Sequence, residues 1–232
     1  MKEAFSRSRA LLGDRAMDRL AQARVLVVGV GGVGSWAAEA LVRTGIGAVT
    51  LMDDDLVAES NLNRQCPATL STIGRAKVEA MSERLREINA DCEIEALALR
   101  YGETGGEIGL SGFDAIIDAI DSPACKARLI LDAQAAGVGL FSSMGAARRI
   151  DPSRVRTGNF EKVEGDGLAK ALRRRFKRLG VIPKRFTAVW SEEAPAEAAD
   201  RATMGSIMPV TATFGMCLAA EVVKFLFRGL KL

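Results

Sequence analysis

Short apolar runs alternate with amphipathic stretches through the first two thirds of the chain. The apolar runs are rich in β-branched residues and end at glycine or acidic residues, which is typical of buried parallel strands. They predict strands over 24–29, 48–52, 92–99, 115–118 and 138–142. The stretches around them repeat apolar side chains at helical spacing and predict helices over 7–23, 34–44, 77–89 and 124–136. This alternation predicts a Rossmann-like α/β fold, with a doubly wound, mostly parallel sheet and helices on both faces.

The pattern changes after Gly145. Two more exposed strands, over 149–160 and 185–190, are predicted on either side of a basic helix over 167–179. A last helix is predicted over 209–228. The C-terminal third therefore predicts an α+β extension of the main sheet.

Domain organisation follows from the absence of a linker. Neither an internal repeat nor a low-complexity segment divides the sequence, so we expect one domain over 1–232, in which 146–208 form the extension. The longest apolar stretch, 207–223, is at or below the length that spans a bilayer. We expect a core or dimer-interface helix there, and no membrane partner.

Composition narrows the chemistry. Histidine is absent, which removes the commonest general base and metal ligand. The four cysteines are scattered without a C-x-x-C pair, so a zinc ribbon, a thioredoxin-type motif and a disulfide framework are all disfavoured. The N-terminal residues lack the apolar region and cleavage site of a signal peptide. We expect a cytoplasmic protein.

A glycine-rich turn lies between the first predicted strand and the helix that follows. Gly29, Gly31 and Gly34 form G-x-G-x-x-G, with Gly32 inside the motif. Glycines there allow a tight turn and let backbone N–H groups approach phosphate at the helix N-terminus. Asp53 ends the second strand about 20 residues on, where a carboxylate accepts hydrogen bonds from ribose hydroxyls. These features predict a nucleotide site without saying which nucleotide binds.

Cations placed after this acid change the expected chemistry. Asn61, Arg64 and Gln65 follow it in NLNRQ, and Lys77 opens the next predicted helix. Cations there would neutralise β- and γ-phosphate charge and stabilise departing pyrophosphate. A solvated helix lysine is the alternative interpretation for Lys77. A nicotinamide-dependent dehydrogenase needs neither cation, and the sequence shows no hydride-transfer acid or base.

Further acids lie at the predicted ligand edge of the sheet. Asp118 and Asp121 end the fourth strand, in DAIDS, and doubly wound sheets bind ligands at the carboxyl ends of their strands. We expect one of these acids to cap the strand and the other to face the nucleotide. Asp55, in the run DDD, is a further carboxylate that could help to hold Mg²⁺.

Residues 170–185 form a dense basic run in a chain whose net charge is only +3. Its cations could contact RNA phosphates, and Phe176 and Phe186 could stack on bases. The alternative is a solvated helix face whose phenylalanines point into the core. The candidate RNA-binding residues are Arg173, Arg174, Arg175, Lys177, Arg178, Lys184 and Arg185.

Taken together, these segments resemble the adenylating enzymes of the superfamily that activates ubiquitin and the molybdopterin and thiamine sulfur carriers. The likeness is greatest to its tRNA threonylcarbamoyladenosine dehydratase branch. It is carried by FSR (5–7), VGVGGVGSWAAEALVRTGIGAVTLMDDD (28–55), SNLNRQ (60–65), GRAKVE (74–79), DAIDS (118–122) and VTATFG (210–215).

The resemblance implies a role for each matching residue. The glycine loop would bind ATP phosphate, and Asp53 would hold the ribose. Arg64 and Lys77 would grip the triphosphate, and Asp121 would lie near the α-phosphate and its Mg²⁺. Arg7 would reach the ATP of a partner subunit, which implies a homodimer.

The expected activity is that of an ATP-dependent, ligase-type adenylating enzyme. The resemblance implies dehydration, by cyclisation, of N6-threonylcarbamoyladenosine at position 37 of tRNA through adenylation of its carboxylate. The alternative is activation of a sulfur-carrier or ubiquitin-like protein, although the paired C-x-x-C motifs of those activators are absent from this sequence. A non-catalytic dimer that binds tRNA or delivers sulfur is a third possibility. We expect tRNA as a partner and no DNA, and a cysteine desulfurase system stays an open candidate partner.

Overall fold

A computed structural model describes residues 3–102, 108–197 and 204–228. Its centre is a seven-stranded sheet in the order β3-β2-β1-β4-β5-β7-β6. All neighbouring strands pair in parallel except β6, which pairs antiparallel with β7 at one edge. From β1 the chain adds β2 and β3 on one side and then β4 and β5 on the other. This reversal in the order of strands creates the crevice at which doubly wound sheets bind ligands. The predicted Rossmann-like fold class is confirmed.

The elements alternate along the chain as the sequence indicates. The strands are β1 (Arg24–Val28), β2 (Ala48–Met52), β3 (Glu93–Leu97), β4 (Ala115–Asp118), β5 (Gly139–Ser143), β6 (Val155–Asn159) and β7 (Thr187–Ser191). The α-helices are α1 (Ser6–Leu12), α2 (Asp14–Ala21), α3 (Gly34–Thr44), α4 (Lys77–Ile88), α5 (Pro123–Ala136), α6 (Gly167–Leu179) and α7 (Met208–Leu226). Part of the extension predicted over 146–208, residues 198–203, lies outside the described residues.

Two apolar layers cover the sheet. One contains side chains of α2, α3, α4 and α7, with Leu41 and Phe214 near its centre. The other contains side chains of α5, α6 and the aromatic residues around β7, including Phe160 and Phe186. Because both faces are covered, the central strands are buried almost completely and the ligand site is confined to the strand ends.

Two expectations about local structure are wrong. The single helix predicted over 7–23 is two helices, because Gly13 has φ 79° and ends the first. The strand predicted over 185–190 to be exposed is buried as β7, since it lies inside the sheet between β5 and β6. Apolar periodicity alone cannot distinguish these cases, because a left-handed glycine and the order of strands are set by tertiary contacts.

Helix α7 is long and apolar enough to meet the length and composition of a membrane span. In the structure it packs against α3 and the sheet, with Phe214, Leu218 and Val222 fully buried. Its Gly215 is the point of closest approach, since a Cβ there would lie 2.5 Å from the Val33 carbonyl oxygen. This crossing fixes α3, and therefore the glycine loop at its N-terminus, against the start of α7.

We predict that Gly215→Ala lowers the free energy of unfolding by about 1–3 kcal/mol, because the added methyl group overpacks a backbone contact that cannot yield. Urea denaturation followed by circular dichroism measures the change. Gly167→Ala is the control, since a Cβ on that α6 glycine meets no atom within 4 Å. Equal stability of the two variants would contradict the role of the crossing.

Candidate nucleotide site

The glycine loop packs directly on the end of β4. Gly29 has φ 90°, and a Cβ on it would lie 2.7 Å from the Ala119 carbonyl oxygen. A Cβ on Gly34 would lie 1.9 Å from the Gly29 carbonyl oxygen. Side chains are excluded at both positions, so the turn from β1 into α3 stays tight. The N-terminus of α3 is thereby presented at the carboxyl edge of the sheet, where its amides can meet phosphate.

Asp53 is fixed beside this loop by two backbone donors. The Val30 amide donates to Asp53 Oδ2 at 2.6 Å, and the Asp55 amide donates to Oδ1 at 2.9 Å. Burial raises the pKa of Asp53, and the nearby charge of Lys77 opposes that rise. The carboxylate is therefore oriented before a ligand arrives, and each oxygen keeps a lone pair for a ribose hydroxyl.

Lys77 is almost completely buried, with 5% of its surface exposed, although it opens a helix. Its Nζ lies 2.6 Å from Asp55 Oδ2, and its amide donates to the Asp55 carbonyl oxygen at 3.0 Å. The alternative of a solvated helix lysine is therefore wrong. The ion pair holds the buried Lys77 ammonium against the exposed acid run.

The NLNRQ loop lies across the glycine loop. The Trp36 indole of α3 donates to the Arg64 carbonyl oxygen at 2.9 Å, and Asn61 Oδ1 accepts from the Ala58 amide at 3.0 Å. The Arg64 guanidinium donates only to uncharged oxygens in the hydrogen bonds seen here, those of Ser60 and Asn63, both at 2.9 Å. A half-buried guanidinium bound this way keeps its charge for an anionic ligand.

Gln65 adds an unsatisfied acceptor. Its side chain is 7% exposed, and its Oε1 accepts no hydrogen bond from the described residues. Its Nε2 lies 3.8 Å from where a Cβ on Gly31 would be. Buried polar atoms are nearly always bonded, so an orphan beside the glycine loop is consistent with a ligand donor at this place.

The two acids of DAIDS have different environments, as expected. Asp118 is fully buried; it pairs with Lys126 Nζ at 2.8 Å and accepts from Ser142 Oγ at 2.7 Å. Burial lowers the pKa of Lys126, and Asp118 opposes that shift. Asp121 is exposed beyond the strand end. Asp118 therefore caps the strand, and Asp121 is the acid available to a ligand.

The predicted residues come together in part. Among the described residues, the carboxylates close enough to share a metal ion are those of Asp53, Asp54 and Asp55. Asp121 lies outside that group. Asp55 is already paired with Lys77, and Asp54 is paired with Arg100. Arg7 is on α1, a helix without buried residues. Within one chain the site thus combines the glycine loop, the acid run and the two cations.

Comparison with known proteins assigns the family. A profile described as the ThiF family matches residues 5–230. The chain belongs to the ThiF family. The tRNA threonylcarbamoyladenosine dehydratase of Bacillus subtilis is 40% identical over 196 residues, 84% of this chain and 77% of that protein. The Escherichia coli protein of the same name is 36% identical over 249 residues, 96% of this chain and 93% of that protein.

Solved structures give the same assignment. The E. coli tRNA N6-threonylcarbamoyladenosine dehydratase in complex with AMP superimposes with a TM-score of 0.91 at 36% identity, covering 97% of this chain and 94% of that one. Its complex with ATP gives a TM-score of 0.89 with the same coverage. The predicted resemblance to this superfamily is therefore confirmed.

The basic segment of this ThiF-family chain is divided between packing and exposure. Phe176 and Phe186 are buried and pack around Phe160, so they are not available to stack on bases. Arg173 lies over the Phe160 ring at 4.9 Å and donates to the Val163 carbonyl oxygen at 2.6 Å, which gives it a packing role. Of the candidate RNA-binding residues, Arg175 is half-buried, and the exposed ones are Arg173, Arg174, Lys177, Arg178, Lys184 and Arg185.

Sequence reasoning missed a buried charge cluster next to the NLNRQ loop. Glu39, on α3, accepts from Arg84 Nε at 2.6 Å, from Arg43 Nε at 2.8 Å and from Cys66 Sγ at 2.8 Å. Burial alone would raise the pKa of Glu39, but these hydrogen bonds lower it to about 2. Burial and Glu39 raise the pKa of Cys66 to about 12, so its thiol stays protonated at neutral pH. A glutamate within the apolar helix run AAEAL was the available signal.

We predict that Glu39→Gln removes a pH-dependent part of the stability. The pKa of Glu39 is 4.5 when unperturbed and about 2 in the folded protein. The unfolded chain therefore takes up the proton first, and this contribution is complete above pH 4.5 and lost as pH falls toward 2. At neutral pH we expect a loss of about 2 kcal/mol, reduced from the full shift because Arg43 and Arg84 are partly exposed.

Urea denaturation between pH 2.5 and 7 measures this difference. The wild-type curve should fall toward that of Glu39→Gln as the pH decreases, while Glu87→Gln, an exposed α4 variant, should follow the wild type. Parallel curves for wild type and Glu39→Gln would contradict the assignment.

Proposed function

We propose that this protein catalyses the ATP-dependent dehydration of N6-threonylcarbamoyladenosine in tRNA. The observation that carries the proposal is the near-complete coverage, at 36% identity, of the E. coli dehydratase that has been solved with ATP and with AMP. The site supports it, since a glycine loop, an oriented acid and two cations lie together where a nucleoside triphosphate would be bound.

The reaction has two steps. A carboxylate oxygen of the threonyl group attacks the α-phosphorus of ATP, which forms an acyl-adenylate and releases pyrophosphate. A nucleophilic atom of the same modification then attacks the activated carbonyl, closes a ring and releases AMP with the former carboxylate oxygen. The modified nucleoside loses one water overall. Neither step needs a nucleophile from the protein, in keeping with the absence of histidine and the protonated Cys66 thiol.

The residue roles follow from the placement of charge. The loop at Gly31 and Gly32 and the carboxylate of Asp53 would hold the nucleoside and its phosphates. Lys77 and Arg64 would bind the triphosphate and stabilise charge on departing pyrophosphate. Magnesium would enter with ATP, and Asp121 is the exposed acid that we propose for it. These are interactions of position and charge, which supply most of the catalysis in phosphate chemistry.

We propose a cytoplasmic homodimer. Arg7 is on an N-terminal helix without buried residues, and Leu11 on that helix is 81% exposed. A single exposed apolar side chain is ordinary on a protein surface, so the dimer is proposed for the role of Arg7 and not for an apolar patch. The guanidinium of Arg7 would then complete the ATP site of the partner subunit.

The exposed cations of α6 and of the segment after it form the proposed RNA face. Lys177, Lys184 and Arg185 border a cavity of about 350 Å³ whose floor includes Phe176 and Phe186. Asp166 caps α6 by accepting from the Ala169 amide at 2.8 Å and also accepts from the Gly145 amide at 3.0 Å. This second bond ties the basic helix to the loop after β5, next to the nucleotide edge.

We predict that tRNA containing threonylcarbamoyladenosine loses one water per modified nucleoside when it is incubated with the protein and magnesium–ATP. Lys77→Met and Arg64→Ala should each slow the reaction by roughly 100-fold or more, because each removes a cation from the departing phosphates. Mass analysis of the nucleosides measures the product. Lys224→Met, an exposed variant near the C-terminal end of α7, is the control.

If the mass of the modified nucleoside stays unchanged after incubation with wild-type protein and magnesium–ATP, the proposed function is contradicted. Pyrophosphate exchange stimulated by a carrier protein with a Gly-Gly tail, and not by modified tRNA, would favour the sulfur-carrier alternative. Wild-type rates in both cation variants would contradict the role assignment alone.

We predict that the triple variant Arg174→Gln/Lys177→Gln/Arg178→Gln raises the KM for tRNA about 10-fold or more and leaves the affinity for ATP unchanged. Each lost phosphate contact should also reduce the salt slope of tRNA binding by about 1. Filter binding over a range of salt concentrations measures both effects. Arg24→Gln/Arg86→Gln removes exposed cations of β1 and α4, outside the basic segment, and serves as control. Identical salt slopes for the two variants would locate the RNA face elsewhere.

A further inference from the structure

Arg149 is a buried arginine without a bonded acceptor for two of its nitrogens. The residue is 3% exposed, and its Nε and Nη1 donate to no acceptor among the residues that the structure describes. Arginine keeps its charge in proteins, so burial cannot be relieved by loss of a proton. A buried charge without a partner is strongly unfavourable, and fold stability alone gives no reason for this one.

The backbone beside Arg149 is held rigidly. Arg148 has φ 59°, a left-handed conformation that is uncommon outside glycine. Its amide donates to Gly205 at 2.8 Å, its carbonyl oxygen accepts from Ala196 at 2.8 Å, and its side chain donates to the Ala196 carbonyl oxygen at 2.9 Å and 2.6 Å. The Ile150 amide on the other side donates to Glu193 at 2.9 Å. These contacts fix the position from which the Arg149 side chain extends.

The segment that holds Arg148 also reaches the nucleotide loops. The Asn63 amide group, next to Arg64, donates to the Ser206 carbonyl oxygen at 2.9 Å. Further along, Thr211 lies 3.3 Å from where a Cβ on Gly32 would be. Residues 204–211 therefore connect the Arg148–Arg149 loop to the glycine loop. Arg149 itself follows β5, the neighbour of the strand that ends in Asp118.

We propose that Arg149 binds an oxyanion of the reaction at the carboxyl edge of the sheet. The inference rests on the proposed function, because that reaction brings two oxyanions to this edge, the threonyl carboxylate of the substrate and the phosphates of ATP. A guanidinium offers a planar pair of donors that matches either group, and its geometry is not reproduced by an ammonium group. On binding, Arg149 would orient the oxyanion, and its buried N–H groups would gain the acceptor that they lack in the free protein.

Arg149→Met and Arg149→Lys test this role, with Arg156→Met as the matched control. Arg156 is on β6, downstream in the same connection, and is half-exposed in an ion pair with Glu192 at 3.1 Å. Removal of an unpaired buried charge should leave the melting temperature of the free Arg149→Met protein unchanged or raised. In contrast, kcat/KM with modified tRNA should fall about 10- to 100-fold, with little rescue by lysine. Arg156→Met should match the wild type in activity.

Two binding measurements identify the oxyanion. In one, the melting temperature is followed with the nucleoside N6-threonylcarbamoyladenosine and with its neutral methyl ester, each in the presence of AMP. If the acid raises the melting temperature more than the ester does, and this difference disappears in Arg149→Met, the bound oxyanion is the carboxylate. In the other, calorimetry gives the ATP affinity, and a loss of about 10-fold in Arg149→Met assigns a phosphate.

The proposal is overturned if Arg149→Met melts several degrees lower while kcat/KM and both binding measurements match the wild type, since that result describes a structural arginine. It is also overturned if the variant is indistinguishable from wild type in every measurement. A wild-type protein that fails to dehydrate modified tRNA defeats the proposed function separately, and the ATP titration then decides the role of Arg149 alone.

Discussion

The hydrogen bond from the Val30 amide to Asp53 joins the glycine loop to the end of β2, and the rest of the site is built around it. It orients a carboxylate at the mouth of the crevice and fixes the loop that leads into α3. The loop itself can be this tight only because Gly29 and Gly34 carry no side chain where the Ala119 and Gly29 carbonyl oxygens lie. A nucleotide therefore meets a surface whose donors and acceptors are already oriented, so less ordering is needed on binding.

Charge is arranged around this core in two ways. Lys126 is fully buried against Asp118 and fixes the strand end, where no ligand needs to reach it. Lys77 is also buried, but its partner Asp55 is half-exposed and belongs to the acid run at the crevice, so the pair can open toward a phosphate. The same ion-pair chemistry thus gives a fully buried contact at the end of β4 and a contact open to solvent after β2, and the exposure of the acid makes the difference.

Three unsatisfied atoms belong to loops near this region. Gln65 Oε1 and two nitrogens of Arg149 are buried without partners among the described residues, and Arg175 Nε on α6 is a further such atom. The other deeply buried charged side chains are ion-paired, as Lys77 and Lys126 are, or hydrogen-bonded, as Asp166 is. Buried polar groups are nearly always hydrogen-bonded in native proteins, so these unsatisfied atoms are candidates for contact with a ligand. The NLNRQ loop and the residues before α7 meet through the bond from Asn63 to Ser206, so the orphaned groups belong to adjoining loops.

The sequence by itself determined the alternation of strands and helices, the glycine turn and the family, because period, glycine spacing and the acid after β2 are local properties of the chain. It also indicated that one acid of DAIDS would cap the strand. The tertiary structure decided which one, and it decided that β7 enters the sheet, that Phe176 and Arg173 serve packing, that Lys77 is buried and that Glu39 carries a charge cluster. Those outcomes depend on which distant segments meet, and a periodic pattern carries no information about partners far away in the chain. Arg149 is the clearest case, since only the folded chain shows that two of its nitrogens are buried without an acceptor among the described residues.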